Sequence, residues 1–469
     1  MQLSHLAQSR RWQRLGILRP FLIIVATLLF VLAASYRLSS QQAAMLAGAV
    51  AALWGVLFLW RWPQWGLVAY VLLTMSVGIS DSIGLGSYVN EAVLLLSGLT
   101  GLWLLDMLVR EKSIQLVRTG PLLPMLALVV VALLAFANGQ LLWFFFARPA
   151  PMTAQLAGLA LFVLSAAAFL LAANRINELR WLRYITWVFL SFGALFVLSR
   201  VAPGLGAQGL LAPGLQGGLF WVWVVALSLT QALFNHDLKP SWRVAFAALA
   251  AGMLALGFSQ HRDWASAWLP PLIAAGVAVW LRSWRLGLVL TVLVVGGRIA
   301  LEPNLVADLV AADEYSINTR WVAWEIVLGQ IARVSPVLGL GPANYYHYTP
   351  LFPILGWYVQ FNSHNQYVDL VAQIGVLGLF CYFWFALAVG RLGWRLRTQV
   401  TDGFARAYVY GVLAGLAGTL AAGMLADWVI PFIYNIGLKG FRSSAMAWIF
   451  MGGLVAIERL SSSSKRAPA

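Results

Sequence analysis

Apolar segments long enough to span a bilayer recur along nearly the whole chain. Of the 469 residues, 61% are hydrophobic and only 10% are charged, a composition that excludes an ordinary soluble fold. The sequence predicts an all-α polytopic membrane protein with about 12–14 transmembrane helices and one long outer loop that carries amphipathic helices. The predicted spans lie at about 20–36, 42–60, 65–79, 91–109, 121–137, 155–173, 181–199, 217–234, 243–259, 265–281, 286–301, 368–390, 407–428 and 443–457.

The formal charge of +15 could suggest a nucleic-acid partner, but its distribution indicates membrane topology instead. With the N-terminus in the cytoplasm, the cytoplasmic segments hold 22 of the 31 Lys and Arg residues, and the outer segments hold nine. The 16 acidic residues divide into six inside and ten outside, so the two sides carry net charges of +16 and −1. We therefore expect both termini in the cytoplasm, a lipid bilayer as the surroundings, and no nucleic-acid partner.

The chain divides into three predicted parts around one long break in its apolar pattern. Residues 1–301 form an N-terminal bundle of about eleven spans, and residues 368–469 form about three spans and a cytoplasmic tail. Between them, the long loop of residues 302–367 lies outside. Asn318 or Thr319 can cap a helix in this loop, and the helix is expected to lie in the membrane interface. Its apolar residues recur at helical spacing, at Trp321, Trp324, Leu328 and Ile331.

Ionisable residues near the predicted spans fall close to span ends rather than at the bilayer midplane. Asp106, Arg298, Asp369 and Asp427 all follow this rule. Ion-coupled transporters generally need charged groups near the midplane. The distribution favours chemistry or binding at the outer surface over coupled transport.

Three outer residues are candidates for that chemistry, and each has a simpler interpretation. His364 can exchange a proton near neutral pH, or be only an interfacial histidine at a helix start. Arg320 is expected in the first turn of the loop helix, where free N–H groups favour an anion, or it is a snorkelling arginine. Arg262 lies in the connection FSQHRDWAS. It is a candidate for the outer chemistry, or it forms only a solvated pair with Asp263.

The segment HNQYVDLVAQIGVLG predicts one continuous helix that starts at His364. On such a helix Gly375 lies about 20° and Gly378 about −40° around the axis from His364, and about 16–21 Å further along it. Glycines on one face let a neighbouring membrane helix approach closely. We therefore expect Gly375 and Gly378 to pack against another helix and to hold the histidine rigidly.

Metal-ligand spacing is missing on the outer side. His347 and His364 share the long loop with Asp313 and Glu314, but no His-x3-His or Asp-x-Asp pattern is present. The sequence therefore predicts neither a metal site nor a cofactor.

His364 and Asn365 are followed, after nine further residues, by Gly375-x-x-Gly378. This pattern resembles the histidine signature of the O-antigen ligase and O-antigen polymerase superfamily. The loop sequence NTRWVAWEIVLGQIARVSPVLGLGPANYY is similar to the family's loop with its arginine, tryptophan and Gly-x-Gly-Pro-x-Asn turn.

A third segment, FSQHRDWASAWL, is similar to the family's Ser-x-Ser-Arg-Gly segment. Here His261 and Asp263 replace the second serine and the glycine, so the match at Arg262 is looser. The resemblance covers roughly residues 240–460 in sequence and the whole chain in topology. Family members usually have about twelve spans, fewer than the fourteen predicted above.

The resemblance implies a glycosyltransferase of the bacterial plasma membrane that takes a glycan from undecaprenyl diphosphate and passes it to a hydroxyl, without metal or cofactor. Arg262 and Arg320 would bind the diphosphate, since a guanidinium fork matches phosphate oxygens. His364 would be the catalytic residue, acting as base or orienting the acceptor, with inversion of the anomeric centre.

The acceptor stays open: a second lipid-linked glycan, a lipid A core or a protein hydroxyl would each fit. The choice between ligase and polymerase depends on that acceptor. A different class also remains, a glycolipid flippase or exporter without covalent chemistry, because the lack of midplane charges does not exclude passive lipid movement.

Overall fold

The protein is described by a computed structural model over residues 40–76, 90–212, 215, 218–261, 264–301 and 314–464. The described residues contain no β-strand and form fifteen α-helices. In chain order these are α1 (Ser40–Arg61), α2 (Gly66–Ser76), α3 (Glu91–Asp106), α4 (Leu122–Asn138), α5 (Met152–Arg175), α6 (Leu179–Val201), α7 (Gly218–Phe234), α8 (Pro240–Gln260), α9 (Ala265–Arg282), α10 (Trp284–Leu301), α11 (Glu314–Ile326), α12 (Tyr345–Tyr348), α13 (Gln366–Leu396), α14 (Gly403–Leu425) and α15 (Phe441–Ser464).

The predicted fold class, an all-α polytopic membrane protein, is confirmed. Every predicted span except the first coincides with a described helix, and the first, at about 20–36, lies outside the described residues. Eight of the described helices are long and apolar enough to cross a membrane. Helices α4 and α7 have only 17 residues each, which at about 1.5 Å per residue is slightly less than the bilayer core requires.

The chain forms two compact units, Met1–Trp65 and Gly66–Ala469. The described part of the first unit is α1 and the short turn Pro63–Trp65. All other described helices belong to the second unit, and α7 is its centre. Helix α7 is apolar on all sides, and α8, α9, α14 and α15 pack around it.

Three glycines on one face of α14 allow this close packing. Gly411, Gly415 and Gly418 lie four and three residues apart and so share a face of the helix. A Cβ atom at these positions would come within 2.8, 2.8 and 2.6 Å of side chains of α7. Small residues therefore bring two membrane helices together here, on α14, rather than at the two glycines predicted for that role.

The helix of the long loop starts earlier than predicted. Helix α11 already begins at Glu314, so Asn318 and Thr319 lie inside it and do not cap it, and Arg320 is past its first turn. The periodic apolar residues start only at Trp321, which is why the sequence suggested a later start.

The predicted apolar face of the loop helix is also divided. A π-helical turn, Val327–Ile331, follows α11 and changes the register of the residues after it. Ile331 is fully buried, and Trp324 packs against the buried cluster that contains Ile331 and Tyr345. Trp321 and Leu328 are exposed. Turns at Pro336 and Pro342 follow, and Gly339 and Gly341 between them are not helical.

Candidate active site

Helix α13, which follows His364, is broken at Gly375. Gly375 has φ +71° and ψ −179°, a conformation available essentially only to glycine, and it separates two helical pieces. His364 precedes the helix, whose N-cap is Asn365. The predicted continuous helix with His364, Gly375 and Gly378 on one face is therefore wrong, because its register does not continue across the break.

A segment of the long loop, residues 335–341, enters this break. In an unbroken helix the carbonyls of Ala372 and Gln373 would accept the N–H groups of residues 376 and 377. They accept instead the N–H groups of Leu340 and Gly341, each at 2.9 Å. The acceptors exposed by the break are thus satisfied by the loop backbone, as a low-dielectric environment requires.

The donors at the break are satisfied in the same way. The N–H of Val376 donates to the carbonyl of Pro336 at 2.9 Å, and that of Leu377 donates to the carbonyl of Val337 at 3.3 Å. Four backbone hydrogen bonds therefore join the loop to the two halves of α13. The Gly-x-Gly-Pro turn and the Gly-x-x-Gly pattern, 34 residues apart in sequence between Gly341 and Gly375, form one junction.

The atoms nearest to the two signature glycines consequently do not belong to a neighbouring helix. A Cβ atom on Gly375 would collide with the carbonyl group of Val337. At Gly378 it would collide with the side chain of Ile374, from the same helix. The first glycine admits the loop backbone, and the second makes room for the side chain on the other side of the break.

His364 is exposed on a tight turn between two buried residues. Its φ is +48°, an uncommon value for a residue with a side chain. Asn365 accepts the N–H groups of Tyr367 and Val368 at 2.9 and 3.3 Å, which fixes the start of α13. The turn thus projects the imidazole away from the helix end.

Ser363, on the other side of His364, is held by a buried acid. The Ser363 hydroxyl donates to Asp369 Oδ1 at 2.7 Å, and the Tyr345 hydroxyl donates to the same oxygen at 2.5 Å. Trp324 Nε1–H donates to the Ser363 carbonyl at 2.7 Å, which connects the turn to α11. The backbone on both sides of His364 is therefore fixed by buried hydrogen bonds.

The His364 side chain opens into a cavity of about 300 Å³ that Arg320 also lines. These two predicted site residues are 44 positions apart in sequence, and the fold brings them to the same cavity. Arg262 lies outside the described residues. The full lining is Thr319, Arg320, Ala323, Tyr346, Ile354, Gln360, Phe361, Asn362, His364, Tyr434 and Asn435.

The cavity is electropositive and the imidazole is neutral. Arg320 has no ion-pair partner among the carboxylates of the described residues. The protein around His364 displaces part of its hydration, and the nearby charge of Arg320 adds to this effect. Both lower the pKa of His364 below its usual value near 6.5. At physiological pH the site therefore presents one cation and one uncharged ring.

A second buried acid, Asp427, supports the cavity from the segment between α14 and α15. Its Oδ1 accepts the side-chain N–H of Asn435 at 2.6 Å, and its Oδ2 accepts the N–H of Phe432 at 3.0 Å. Burial raises the pKa of Asp427 to about 6, against the opposing effect of these hydrogen bonds. Asn435 Nδ2 also lies 3.4 Å from His364 Nδ1.

The remaining lining suits a polyhydroxylated ligand. The rings of Tyr346 and Tyr434 stack with centroids 4.6 Å apart, and His347 Nε2 lies 3.0 Å from the Tyr434 hydroxyl oxygen. The amides of Gln360, Asn362 and Asn435 add donors and acceptors without charge. This part of the cavity can bind hydroxyl groups, while Arg320 can bind an anion.

The structure also bears on the question of metal ligands. Within the described part of the chain, no three His, Cys, Asp or Glu side chains come together as a metal site. The predicted absence of a metal requirement therefore remains a prediction for experiment.

Asp427 and Asn435 were not identified from sequence as site residues. Asp427 was noted only as an acid near a span end, and Asn435 carries no motif. One signal was available: Asp369 and Asp427 both lie at the outer ends of predicted spans. Buried acids of this kind are rarely tolerated without a specific partner.

The fold and site define a polytopic membrane protein with a cavity at the end of its helix bundle, equipped for an anion and for hydroxyl groups. Residues 221–383 match the family model described as O-antigen ligase. The match runs from α7 to the second half of α13 and includes Arg262, Arg320 and His364. It confirms the predicted resemblance to the O-antigen ligase and polymerase superfamily over these residues. No curated protein matches the sequence.

Proposed function

We propose that this protein transfers a glycan from undecaprenyl diphosphate to an acceptor hydroxyl at the outer face of the bacterial plasma membrane. The observation that carries the proposal is the cavity shared by Arg320 and His364, which both lie within the residues that match the family model. A glycosyl transfer of this kind needs a group for the leaving diphosphate and a group at the acceptor.

Arg320 binds the diphosphate of the donor. Negative charge grows on this leaving group as the glycosidic bond breaks, and a guanidinium can donate two parallel hydrogen bonds to phosphate oxygens. Its lack of a carboxylate partner among the described residues leaves the fork available for an anion. Arg262 is proposed, from its motif alone, as the second arginine that binds the diphosphate.

His364 acts at the acceptor hydroxyl, as a base or by orienting it. The acceptor oxygen forms a bond to the anomeric carbon while the bond from that carbon to the diphosphate oxygen breaks, and the electron pair leaves with the lipid diphosphate. One such in-line displacement inverts the anomeric centre. The hydroxyl proton must leave in the same step, which requires a nearby acceptor.

The acceptor is a glycan, a lipid A core or a protein hydroxyl. The stacked tyrosines and the amide groups of the cavity support a carbohydrate acceptor but fit all three alternatives. Lipid analysis of a deletion strain distinguishes them. Single repeats left on the carrier lipid indicate a polymerase, and long chains left on it indicate a ligase.

Replacement of His364 tests the proposal directly. With purified enzyme and lipid-linked donor, His364→Ala should lower the single-turnover rate by about 10²–10⁴-fold, the usual effect of losing a general acid–base group. Donor affinity should change little, because the imidazole is not the diphosphate clamp.

The matched control is His236→Ala, an exposed histidine that does not line the cavity. It should turn over at the wild-type rate. Normal turnover by His364→Ala would rule out the proposed site. A protein that moves glycolipid across vesicles but forms no new glycosidic bond would indicate the flippase alternative instead.

The reaction is also proposed to be independent of metal ions. Turnover should continue in excess chelator. Activity that is lost in chelator and restored by magnesium would contradict an arginine clamp as the main source of charge stabilisation.

A further inference from the structure

The side-chain amide of Asn435 lies between a buried acid and the catalytic histidine. Its nitrogen is 2.6 Å from Asp427 Oδ1 and 3.4 Å from His364 Nδ1. The second distance is long for a hydrogen bond, as is common for catalytic contacts before a substrate closes the site.

The contact with Asp427 determines which way the amide points. The Asp427 carboxylate accepts hydrogen bonds, so the Asn435 atom facing it at 2.6 Å must be the nitrogen. The reversed amide would place a carbonyl oxygen against a carboxylate oxygen in a buried position, which is strongly unfavourable. Asp427 is itself fixed by the N–H of Phe432.

The amide nitrogen then determines the protonation of the ring. An amide nitrogen donates hydrogen bonds and does not accept them. The ring nitrogen that faces it must therefore carry a lone pair and not a proton. A neutral imidazole has one proton, so with Nδ1 as acceptor the proton is on Nε2.

We propose that Asn435 is a positioning residue that holds His364 in the Nε2–H tautomer, so that the ring meets the substrate as a hydrogen-bond donor. This inference rests on the proposed function and replaces the two roles given there for His364, base or orienting group at the acceptor, with hydrogen-bond donation to the leaving oxygen. Asp427 acts through Asn435, and among the described residues no hydrogen bond joins Asp427 to the ring directly.

In this arrangement the Arg320 guanidinium binds the diphosphate before the reaction, and Nε2–H donates to the leaving oxygen only as that oxygen gains charge. As the bond from the anomeric carbon to the diphosphate breaks, the leaving oxygen gains charge that both groups stabilise. The proton of the acceptor hydroxyl passes to a phosphate oxygen of the departing lipid diphosphate. His364 ends the step with the proton it began with.

The tautomer can be measured without any turnover. Protein labelled with ¹⁵N-histidine in lipid gives separate ring-nitrogen signals, and His364 is assigned by its loss in His364→Gln among the five histidines of the chain. A protonated Nε2 and an unprotonated Nδ1 are expected at neutral pH. A protonated Nδ1 in the wild-type protein would overturn the inference while leaving the proposed transferase function intact.

Asn435→Asp supplies the opposite partner for the ring. The new carboxyl group and Asp427 would share one proton between them, because they lie as close as Asn435 and Asp427 do now. The carboxyl oxygen that faces the ring then accepts a hydrogen bond, so the ring proton should move to Nδ1, and the ¹⁵N signals of Nδ1 and Nε2 should change accordingly. Asn362→Asp is the matched control, since Asn362 lines the same cavity but has no described contact with His364, and it should leave the tautomer unchanged.

Activity measurements then distinguish the two roles of His364, hydrogen-bond donor and base. If His364 were a base through Nε2, Asn435→Asp would create an Asp–His pair that favours catalysis, and His364→Gln would be as inactive as His364→Ala. If His364 is a donor, Asn435→Asp should lose about 10²-fold in turnover, the effect of removing one donor to a developing charge.

His364→Gln should in turn retain at least ~10-fold more activity than His364→Ala, because glutamine places an N–H near the position of Nε2. If His364→Gln and His364→Ala are equally inactive while both still bind the lipid-linked glycan, His364 does not act as a hydrogen-bond donor.

Discussion

Replacement of Gly375 by alanine should separate the long loop from the helix it enters. The structure gives two independent costs. An alanine at φ +71° and ψ −179° is in a region populated by glycine alone, which costs about 1–3 kcal/mol. Its Cβ would overlap the Val337 carbonyl group, and overpacking of this kind costs about 1–3 kcal/mol more.

The sum, about 2–6 kcal/mol, is large compared with the marginal stability of folded proteins. The overlap with Val337 is removed only if the loop moves away from α13, which breaks its backbone hydrogen bonds to that helix. Because the same loop carries His364 and Arg320, we expect activity to be lost along with stability.

Gly390→Ala is the control, since Gly390 lies in the same helix and an added Cβ would be 3.6 Å from Leu416, an ordinary contact. Alanine is favoured over glycine in a helix by about 1 kcal/mol, so this variant should be unchanged or slightly stabilised. Thermal unfolding in detergent, followed by tryptophan fluorescence, compares the two. If Gly375→Ala melts together with Gly390→Ala and the wild type, the described helix break is wrong.

Three further predictions follow from the site and the topology. Arg320→Lys keeps the charge but loses the guanidinium fork, so turnover should fall about 10²-fold, while Arg333→Lys, on an exposed arginine of the same loop, should have no effect on single-turnover rates. Because the pKa of His364 is lowered, the neutral ring persists at pH 6.5. Activity should fall as the pH drops through the lowered value, since a protonated Nδ1 would face the Asn435 N–H and the ring would lose its position. This acid limb of kcat/KM should shrink in His364→Gln, with Asp427, whose pKa is about 6, accounting for what remains. In intact spheroplasts, a membrane-impermeant thiol reagent should label Tyr358→Cys but label Gln399→Cys only after lysis, and the reverse pattern would overturn the topology.

The sequence by itself determined the fold class and the candidate chemistry. The apolar spans required helices, because only a helix satisfies its own backbone hydrogen bonds in a bilayer. The short motifs around Arg320 and His364 carried the resemblance to the superfamily, and the fold brings both residues to one cavity. These features are local in sequence, and each can be recognised within one segment of the chain.

Only the tertiary structure decided how the site is supported. Helical periodicity continues through Gly375, and nothing local shows that a loop segment supplies the missing hydrogen bonds there. Likewise, Asp427 and Asn435 follow His364 by 63 and 71 positions and act through contacts that form only when α13, α14 and α15 pack together. A sequence pattern records the preferences of each segment, whereas hydrogen bonds between distant segments depend on how the whole chain is packed.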